Sequence, residues 1–339
     1  MKAWVTAVTA LLVASCTGTQ ERVVQSPNYR DGEFRNLYHD LEAEKLGFWT
    51  ALKSLKLGKQ EPWPEWRETP SFKPQWAKLE GSAGEVVLLG HASVLVRFEG
   101  LNILIDPHYS LRASPLPFGP AKRARANAIA FEDLPTIDLV LITHDHFDHL
   151  DLPTLKRLAQ THHPRFVAGL GHQALLSDIG ITDLIELDWW ETLEYQGAGI
   201  HFLPAQHFSS RSILSRKQRL WGSFLIEKKG KKIYHAGDTA IGPHFKLIGE
   251  RLGPIDLSLI PIGAYAPRDF MRHFHLDPPE AVAAHLELNS KKSLAMHYGF
   301  FMLTLEGIDQ PLEAFALARQ TLSQPESFLA PPYGELVAF

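Results

Sequence analysis

The chain carries a single cysteine, Cys16, among 339 residues. That excludes an internal disulfide framework and a thiolate metal site, so any metal bound here must be held through nitrogen and oxygen. An excess of either charge is also missing: 34 basic against 38 acidic side chains leave −4 with histidine neutral, and no basic domain or RNA-binding signature is visible. No attraction to nucleic acid is therefore expected. Long apolar runs are lacking too, since the stretch ending in Leu11-Leu12-Val13-Ala14-Ser15-Cys16 is too short to span a bilayer comfortably. Against these absences stand 17 histidines, in a composition (45% hydrophobic, 21% charged) that is ordinary for a globular chain with a sizeable core.

The histidines matter most in Thr143-His144-Asp145-His146-Phe147-Asp148-His149, where three imidazoles and two carboxylates fall within six positions. The preceding run, Ile137-Asp138-Leu139-Val140-Leu141-Ile142, has the length and β-branched content of a buried strand feeding a loop. His144 and His146 are two apart, so in an extended segment they project from one face. Asp148 and His149 come from the turn that follows and can be aimed at a second point. This fits two adjacent metal ions better than one. Further candidates sit at the ends of expected strands: Asp106 after Ile105, His207 after Phe202-Leu203, Asp238 in Ala236-Gly237-Asp238-Thr239, the segment from Pro267 to His275, and His297 after Met296.

Between these points the pattern alternates. Strands are expected at Val86 to Leu89, Val94 to Phe98, Leu101 to Ile105, Arg165 to Ala168, Gly199 to Leu203, Trp221 to Glu227, Lys231 to His235, Ile255 to Ile262 and Ser293 to His297. Helices are expected at Leu152 to Ala159, His172 to Ile179 and Pro278 to Leu288. Pro115 to Ala128, with Lys122, Arg123 and Arg125, is a long connection of the kind that often binds ligands. No linker divides the halves, so residues 81–339 read as one layered α/β domain.

The N-terminal part reads differently. Small residues before Cys16, after Lys2 and a short apolar segment, resemble a bacterial lipoprotein signal. On that resemblance residues 1–15 are removed and Cys16 carries lipid. Thr17 in place of aspartate then implies the periplasmic face of the outer membrane. Residues 17 to about 35 read as a tether, Asn36 to Leu57 as an amphipathic helix, and Glu61 to Trp76, rich in proline and tryptophan, as an extended strap. Together, residues 16–80 form an extension ahead of the catalytic domain.

The order His-x-His-x-Asp-His, then His207, Asp238 and His297, resembles the metallo-β-lactamase fold superfamily. Leu89 to Leu95, Asp106-Pro107, Leu111 to Pro115, Gly119 to Arg123, Leu220 to Ser223 and Ile262 to Tyr265 with Arg268 are similar to the N-acyl-phosphatidylethanolamine-hydrolysing phospholipase D family within it. The resemblance implies a four-layered αββα sandwich and a two-zinc site with a shared hydroxide. It places one zinc on His144, His146 and His207, the other on Asp148, His149 and His297, with Asp238 bridging. Imidazole and carboxylate suit zinc, and a carboxylate has two oxygens with which to join two ions. His275 corresponds to a family histidine close to the metals, and is expected to steady phosphoryl oxygens or protonate the leaving alkoxide. Phe274 departs from the family's usual glutamine and removes one polar substrate contact.

His91 and Asp106 are expected to orient the ligands or close their loop. Arg211, Arg216, Lys217 and Arg219 form a basic stretch for anionic phospholipid headgroups, with a solvated loop as the alternative. Phe300-Phe301-Met302-Leu303 is an acyl-chain contact or core. The implied activity is hydrolysis of N-acyl-phosphatidylethanolamine, or a related phospholipid, to phosphatidic acid and N-acylethanolamine by a lipid-anchored envelope enzyme whose partner is the membrane. Two alternatives stay open: hydrolysis of a lactone, carboxylic ester or lactam at the same metals, and a metal-binding envelope lipoprotein without turnover.

Overall fold

A computed structural model describes residues 21–38, 59–70, 84–116, 118 and 121–339. Cys16, the leader, nearly all of the expected 36–57 helix and the 71–76 end of the strap lie outside the described residues. Residues 21–38 differ from the expected tether. Strands β1 (Tyr29–Arg30) and β2 (Glu33–Phe34) form a hairpin whose Asp31-Gly32 turn has both residues at positive φ, 54° and 82°, as a type I′ turn requires. Phe34 is fully buried against Tyr29, and its amide donates to the Lys217 carbonyl at 2.8 Å. This aromatic anchor, invisible to a search for apolar periodicity, acts with polar ties such as Asn28 to Asp188 to lay this polar stretch on the domain.

The remaining strands follow in chain order: β3 (Glu85–Gly90), β4 (Ser93–Phe98), β5 (Leu101–Ile105), β6 (Leu139–Ile142), β7 (Arg165–Gly169), β8 (Leu184–Leu187), β9 (Thr192–Tyr195), β10 (Ala198–Leu203), β11 (Ser223–Lys228), β12 (Lys231–His235), β13 (Ile255–Pro261), β14 (Ser290–Met296), β15 (Phe328–Leu329) and β16 (Leu336–Ala338). They make two seven-stranded sheets, ordered β16-β3-β4-β5-β6-β7-β8 and β15-β14-β13-β12-β11-β10-β9.

Side chains that alternate along a strand reach both neighbouring layers. Val86, Leu88, Ile103, Ile105, Leu139 and Leu141 join the core between the sheets. Their neighbours Val87, Leu89, Leu104, Val140 and Ile142 pack outward with Leu155 and Leu158 of the helix Leu152–Thr161. Burial on both faces is why these strands are unbroken apolar runs. The helix Pro278–Glu287 covers β13 and β14 on the other side, which completes the αββα sandwich. Its start matches the expectation: Pro278 occupies the first turn, and Asp277 caps it by accepting from the Glu280 amide at 2.9 Å.

In the first sheet β5 to β8 run parallel, and in the second β12 to β15 do. Parallel pairing collects the carboxyl ends of the strands at one edge, where open α/β sheets place their ligands. The two sheets are stitched together there. Gly222 donates to the Thr143 carbonyl at 2.9 Å, and His297 donates to the His91 carbonyl at 3.0 Å. The strap behaves as expected over 59–70: Trp63 Nε1 donates to the Glu306 carbonyl at 2.8 Å and Arg67 forks onto Asp309.

Candidate metal centre

Asp106 leaves the end of β5 and organises the loop after β6. Its Oδ1 accepts from the Thr143 amide at 2.8 Å, and its Oδ2 accepts from Thr143 Oγ1 at 2.5 Å and from His149 Nδ1 at 2.7 Å. Because the Thr143 hydroxyl proton is committed to Asp106, His144 Nδ1 must donate to that oxygen, at 3.0 Å. His207 is fixed in the same sense, its Nδ1 donating to the Phe274 carbonyl at 2.9 Å. In His144, His149 and His207 the proton is thus held on Nδ1 and the lone pair on Nε2 points inward. This is the arrangement of metal-binding imidazoles whose second nitrogen is tied to the protein.

Those lone pairs converge. His144 Nε2 and His207 Nε2 stand 3.0 and 3.2 Å from His146 Nδ1. His149 Nε2 and His297 Nε2 lie 3.5 and 3.4 Å from Asp148 Oδ2, and 3.1 and 3.2 Å from the two oxygens of Asp238. Asp238 Oδ2 is also 3.9 Å from both His144 and His207, so it reaches both groups. His149 Nε2, Asp238 Oδ1, His275 Nδ1 and both ring nitrogens of His297 are buried without a hydrogen-bond partner. Each such atom costs roughly 1–3 kcal/mol if left unpaired. Ligands on one tetrahedral zinc, with bonds of about 2.0–2.1 Å, stand roughly 3.3 Å apart, so these donor spacings fit a cation.

The charges agree. Burial holds His144 far below the ordinary histidine range, and holds His207 down at about 4 and His146 at about 3, so all three imidazoles are neutral and able to offer a lone pair. Burial would raise Asp148 and Asp238, but His149 outweighs it, aided by His297, and both carboxyls stay well below the usual range. Burial likewise opposes protonation of His149 and His297, yet Asp238 and Asp148 push His149 well up and His297 up to about 9. Without a cation these two rings would carry the positive charge that the carboxylates demand, and a cation would take the place of the Nε2 proton. His91, Asp106 and His297 all have φ in the left-handed region, 52°, 44° and 61°. Such strain in side chains that bear Cβ concentrates at functional sites.

The family model of the beta-lactamase superfamily domain matches residues 101–298. The chain belongs to the metallo-β-lactamase superfamily. Within this superfamily it is similar to N-acyl-phosphatidylethanolamine-hydrolyzing phospholipase D 1 of Caenorhabditis elegans, 37% identical over 263 residues that cover 73% of this chain and 74% of that protein. A mitochondrial N-acyl-phosphatidylethanolamine-hydrolyzing phospholipase D of Saccharomyces cerevisiae is 31% identical over 258 residues, 74% of this chain and 55% of the yeast protein. Among solved structures, a metallo hydrolase from the archaeon Ignicoccus hospitalis aligns with a TM-score of 0.58 and 25% identity over 76% of this chain and 98% of its own. The chain is accordingly a metal-dependent hydrolase of the superfamily, with histidine and aspartate clusters able to hold metal.

The superfamily scaffold brings the other expected residues to different places. His275 Nδ1 lies 3.9 Å from Asp238 Oδ2. Its carbonyl accepts from Arg268 at 2.8 Å, and Arg268 pairs with Asp277 and Glu280 at the capped helix start. Phe274, which departs from the glutamine common at this position in the resembled family, is buried between Phe208 and Phe270, at ring distances of 4.9 and 5.6 Å. His91 donates from Nε2 to Asp148 Oδ2 at 2.9 Å, lies 3.9 Å from the His297 ring, and falls with Asp148, His149 and His297 in one cluster able to hold a metal. Phe300 and Phe301 are core.

The basic stretch departs from expectation. Arg219 is paired at 2.8 Å with the fully buried Asp145, and Arg211 donates to the Asp145 and Leu150 carbonyls. Arg216 lies 5.0 Å from the Phe208 ring and Lys217 lies 3.9 Å from Glu33. Arg211 and Arg219 are thus tied to the histidine loop, whereas Arg216 and Lys217, with Arg30 and Arg35, line a cavity that reaches His207. Asn36 was not anticipated: its Oδ1 accepts from the His207 amide and Trp221 Nε1, and its Nδ2 donates to the His207 carbonyl at 3.0 Å. No local signal marks a partner 171 positions away. The Asp31-Gly32 turn that delivers it was legible.

Proposed function

We propose that this chain is a two-zinc phosphodiesterase of phospholipase D type. It hydrolyses N-acyl-phosphatidylethanolamine, or a related phospholipid, to phosphatidic acid and an N-acylethanolamine. One observation supports this above others. Two donor groups, His144/His146/His207 and Asp148/His149/His297, are joined by Asp238 in a chain 37% identical to a phospholipase D of that name. Two zinc ions held there would polarise a phosphoryl oxygen and make water acidic enough to act as nucleophile near neutral pH.

The chain's own side chains do the rest. Asp106, Thr143 and the Phe274 carbonyl keep the imidazole protons away from the centre. His275, neutral through burial, is placed to steady a phosphoryl oxygen by N–H donation or to pass a proton to the leaving alkoxide. Phe208 and Phe274 pack beside His207 and line a cavity with it. His146 and Asp148 are only half-buried and mark the open side. Between them Phe147 opens onto an apolar groove lined by Leu111, Pro115, Leu116, Leu150 and Leu152, which suits acyl chains. The stretch ending at Cys16 supports a lipid-anchored enzyme at the envelope membrane, which would meet such lipids at high effective concentration.

The test is to assay the zinc-loaded protein on N-acyl-phosphatidylethanolamine vesicles and on a panel of lactones and esters. Release of N-acylethanolamine that disappears in Asp238→Asn is expected. Lactone opening without headgroup release would move the activity to the carboxylic esters, and no turnover of any kind would leave a metal-binding protein.

A further inference from the structure

The side chain between the first two histidines points away from the metals. In an extended segment His144 and His146 share one face, so Asp145 must take the other. There it is completely buried, and each of its oxygens meets a different part of one distant segment. Oδ1 accepts from the Ser210 amide at 2.7 Å, and Oδ2 pairs with Arg219 at 2.8 Å. Ser210 is three residues beyond His207, which supplies the third nitrogen of the His144/His146/His207 group.

The same segment grips the loop a second time. Arg211 Nη1 donates to the carbonyls of Asp145 and Leu150, both at 2.8 Å, and its guanidinium sits 4.0 Å from the centre of the Phe147 ring. It therefore spans the loop from end to end. Within the segment, the Lys217 amide donates to the Ser209 carbonyl at 2.8 Å and the Arg219 amide to Ser209 Oγ at 3.3 Å, which closes residues 209–219 into a compact unit. The other donor group is held independently, His149 by Asp106 and Asp148 by His91.

We propose that Asp145, Arg211 and Arg219 are positioning residues that clasp the His207 segment to the histidine loop and thereby set the affinity of one of the two metal positions, that of His144, His146 and His207. The inference rests on the two-ion reading above. A fully buried carboxylate paired with a half-buried guanidinium holds the two pieces of backbone in one register, so the three nitrogens meet without a search once a cation arrives. Without the clasp, His207 keeps its bonds to Asn36 and the Phe274 carbonyl but the segment beyond it loses its tie to the histidine loop, while the Asp148/His149/His297 position keeps its own supports.

The experiment is a titration with zinc alone, reading stoichiometry and both dissociation constants by chelator competition. The parent protein should bind two equivalents. In Asp145→Asn, which keeps the shape and loses the charge, one equivalent should stay tight and the other weaken at least about tenfold, as for supports of metal ligands generally. Arg219→Lys should recover part of what Arg219→Ala loses. The double variant D145N/R219M leaves no unpaired buried charge and should resemble Asp145→Asn.

Hydrogen exchange on the unmodified protein tests the same idea without a variant. The binding event that protects residues 143–150 should protect 208–220 at the same occupancy. Both constants staying within twofold of the parent in folded variants, or exchange in 208–220 indifferent to zinc, would overturn the clasp. A parent protein that takes up only one equivalent would overturn the two-ion reading and the clasp with it.

Discussion

Asp238 is the side chain on which both donor groups converge, and His275, 3.9 Å from it, forms with Asp238 and His207 a further set able to hold a cation. The two should separate experimentally. His275→Ala should lower kcat by about 10²–10⁴-fold, the usual worth of a positioned proton donor or acceptor, while bound zinc stays at the parental level. Loss of metal from that variant would recast His275 as a ligand. Protonation gives a second prediction. Below about pH 9 the metal-free His297 carries a proton that a cation must displace, and His149 does so too, so zinc affinity should fall as pH falls. The slope should reach about tenfold per unit for each proton released, measurable by chelator competition. The sign for the apo fold is the reverse. A raised imidazole contributes stability that is present below the ordinary histidine value and lost as pH rises through about 9, so the metal-free protein should lose stability on the alkaline side.

What was legible at this scale followed from local spacing. The histidine motif announces its chemistry within seven residues, and a carboxylate at the end of an apolar strand announces Asp106. Arg211 and Arg219 read as headgroup contacts or a solvated loop because sequence shows their charge and not their partners; Asp145, which its place in the motif assigns to the loop rather than the metal, is the partner of Arg219. Asn36 could not be found at all, since only the folded chain brings it to His207.

Among the elements, the long strands of both sheets are recoverable from their doubly buried apolar stretches, whereas charged, partly exposed ends such as Lys291-Lys292 of β14 carry no such signal. The ones missed are short or lie at sheet edges. β9 alternates exposed and half-buried residues at one edge, and β15 and β16 are edge strands of two and three residues at the other ends. The close approach of the sheets at the site also demands small residues. Gly237 has φ of 62°, and a Cβ there would come within 2.8 Å of the Gly222 carbonyl and 3.0 Å of Thr143 Cβ. Gly237→Ala should therefore lose at least about 1–2 kcal/mol of stability from the left-handed backbone alone, read as a lower denaturation midpoint. It should also weaken zinc, because Asp238 is the next residue. Asn36→Ala tests the N-terminal hairpin. It should weaken zinc by about tenfold or more through the freed His207 backbone; unchanged zinc affinity would mean that the hairpin packs on the domain without serving the site.

At the scale of the whole molecule, two sheets contribute opposite halves of one site, and stitches such as Gly222 to Thr143 make their separation and metal loss a single event. Metal should therefore stabilise the entire sandwich: zinc at about 100 times its dissociation constant is worth roughly 2.7 kcal/mol per site, seen as a rise in Tm across both sheets together. The most direct test of the phosphodiesterase reading is to follow the oxygen. Zinc-loaded protein is incubated with N-acyl-phosphatidylethanolamine in ¹⁸O-water and both products are analysed by mass. Attack of water on phosphorus breaks the bond to the ethanolamine oxygen, so the label should enter the phosphate of phosphatidic acid and the N-acylethanolamine should remain unlabelled. Label in a released fatty acid, or intact lipid in the presence of two bound zinc ions, would contradict the account.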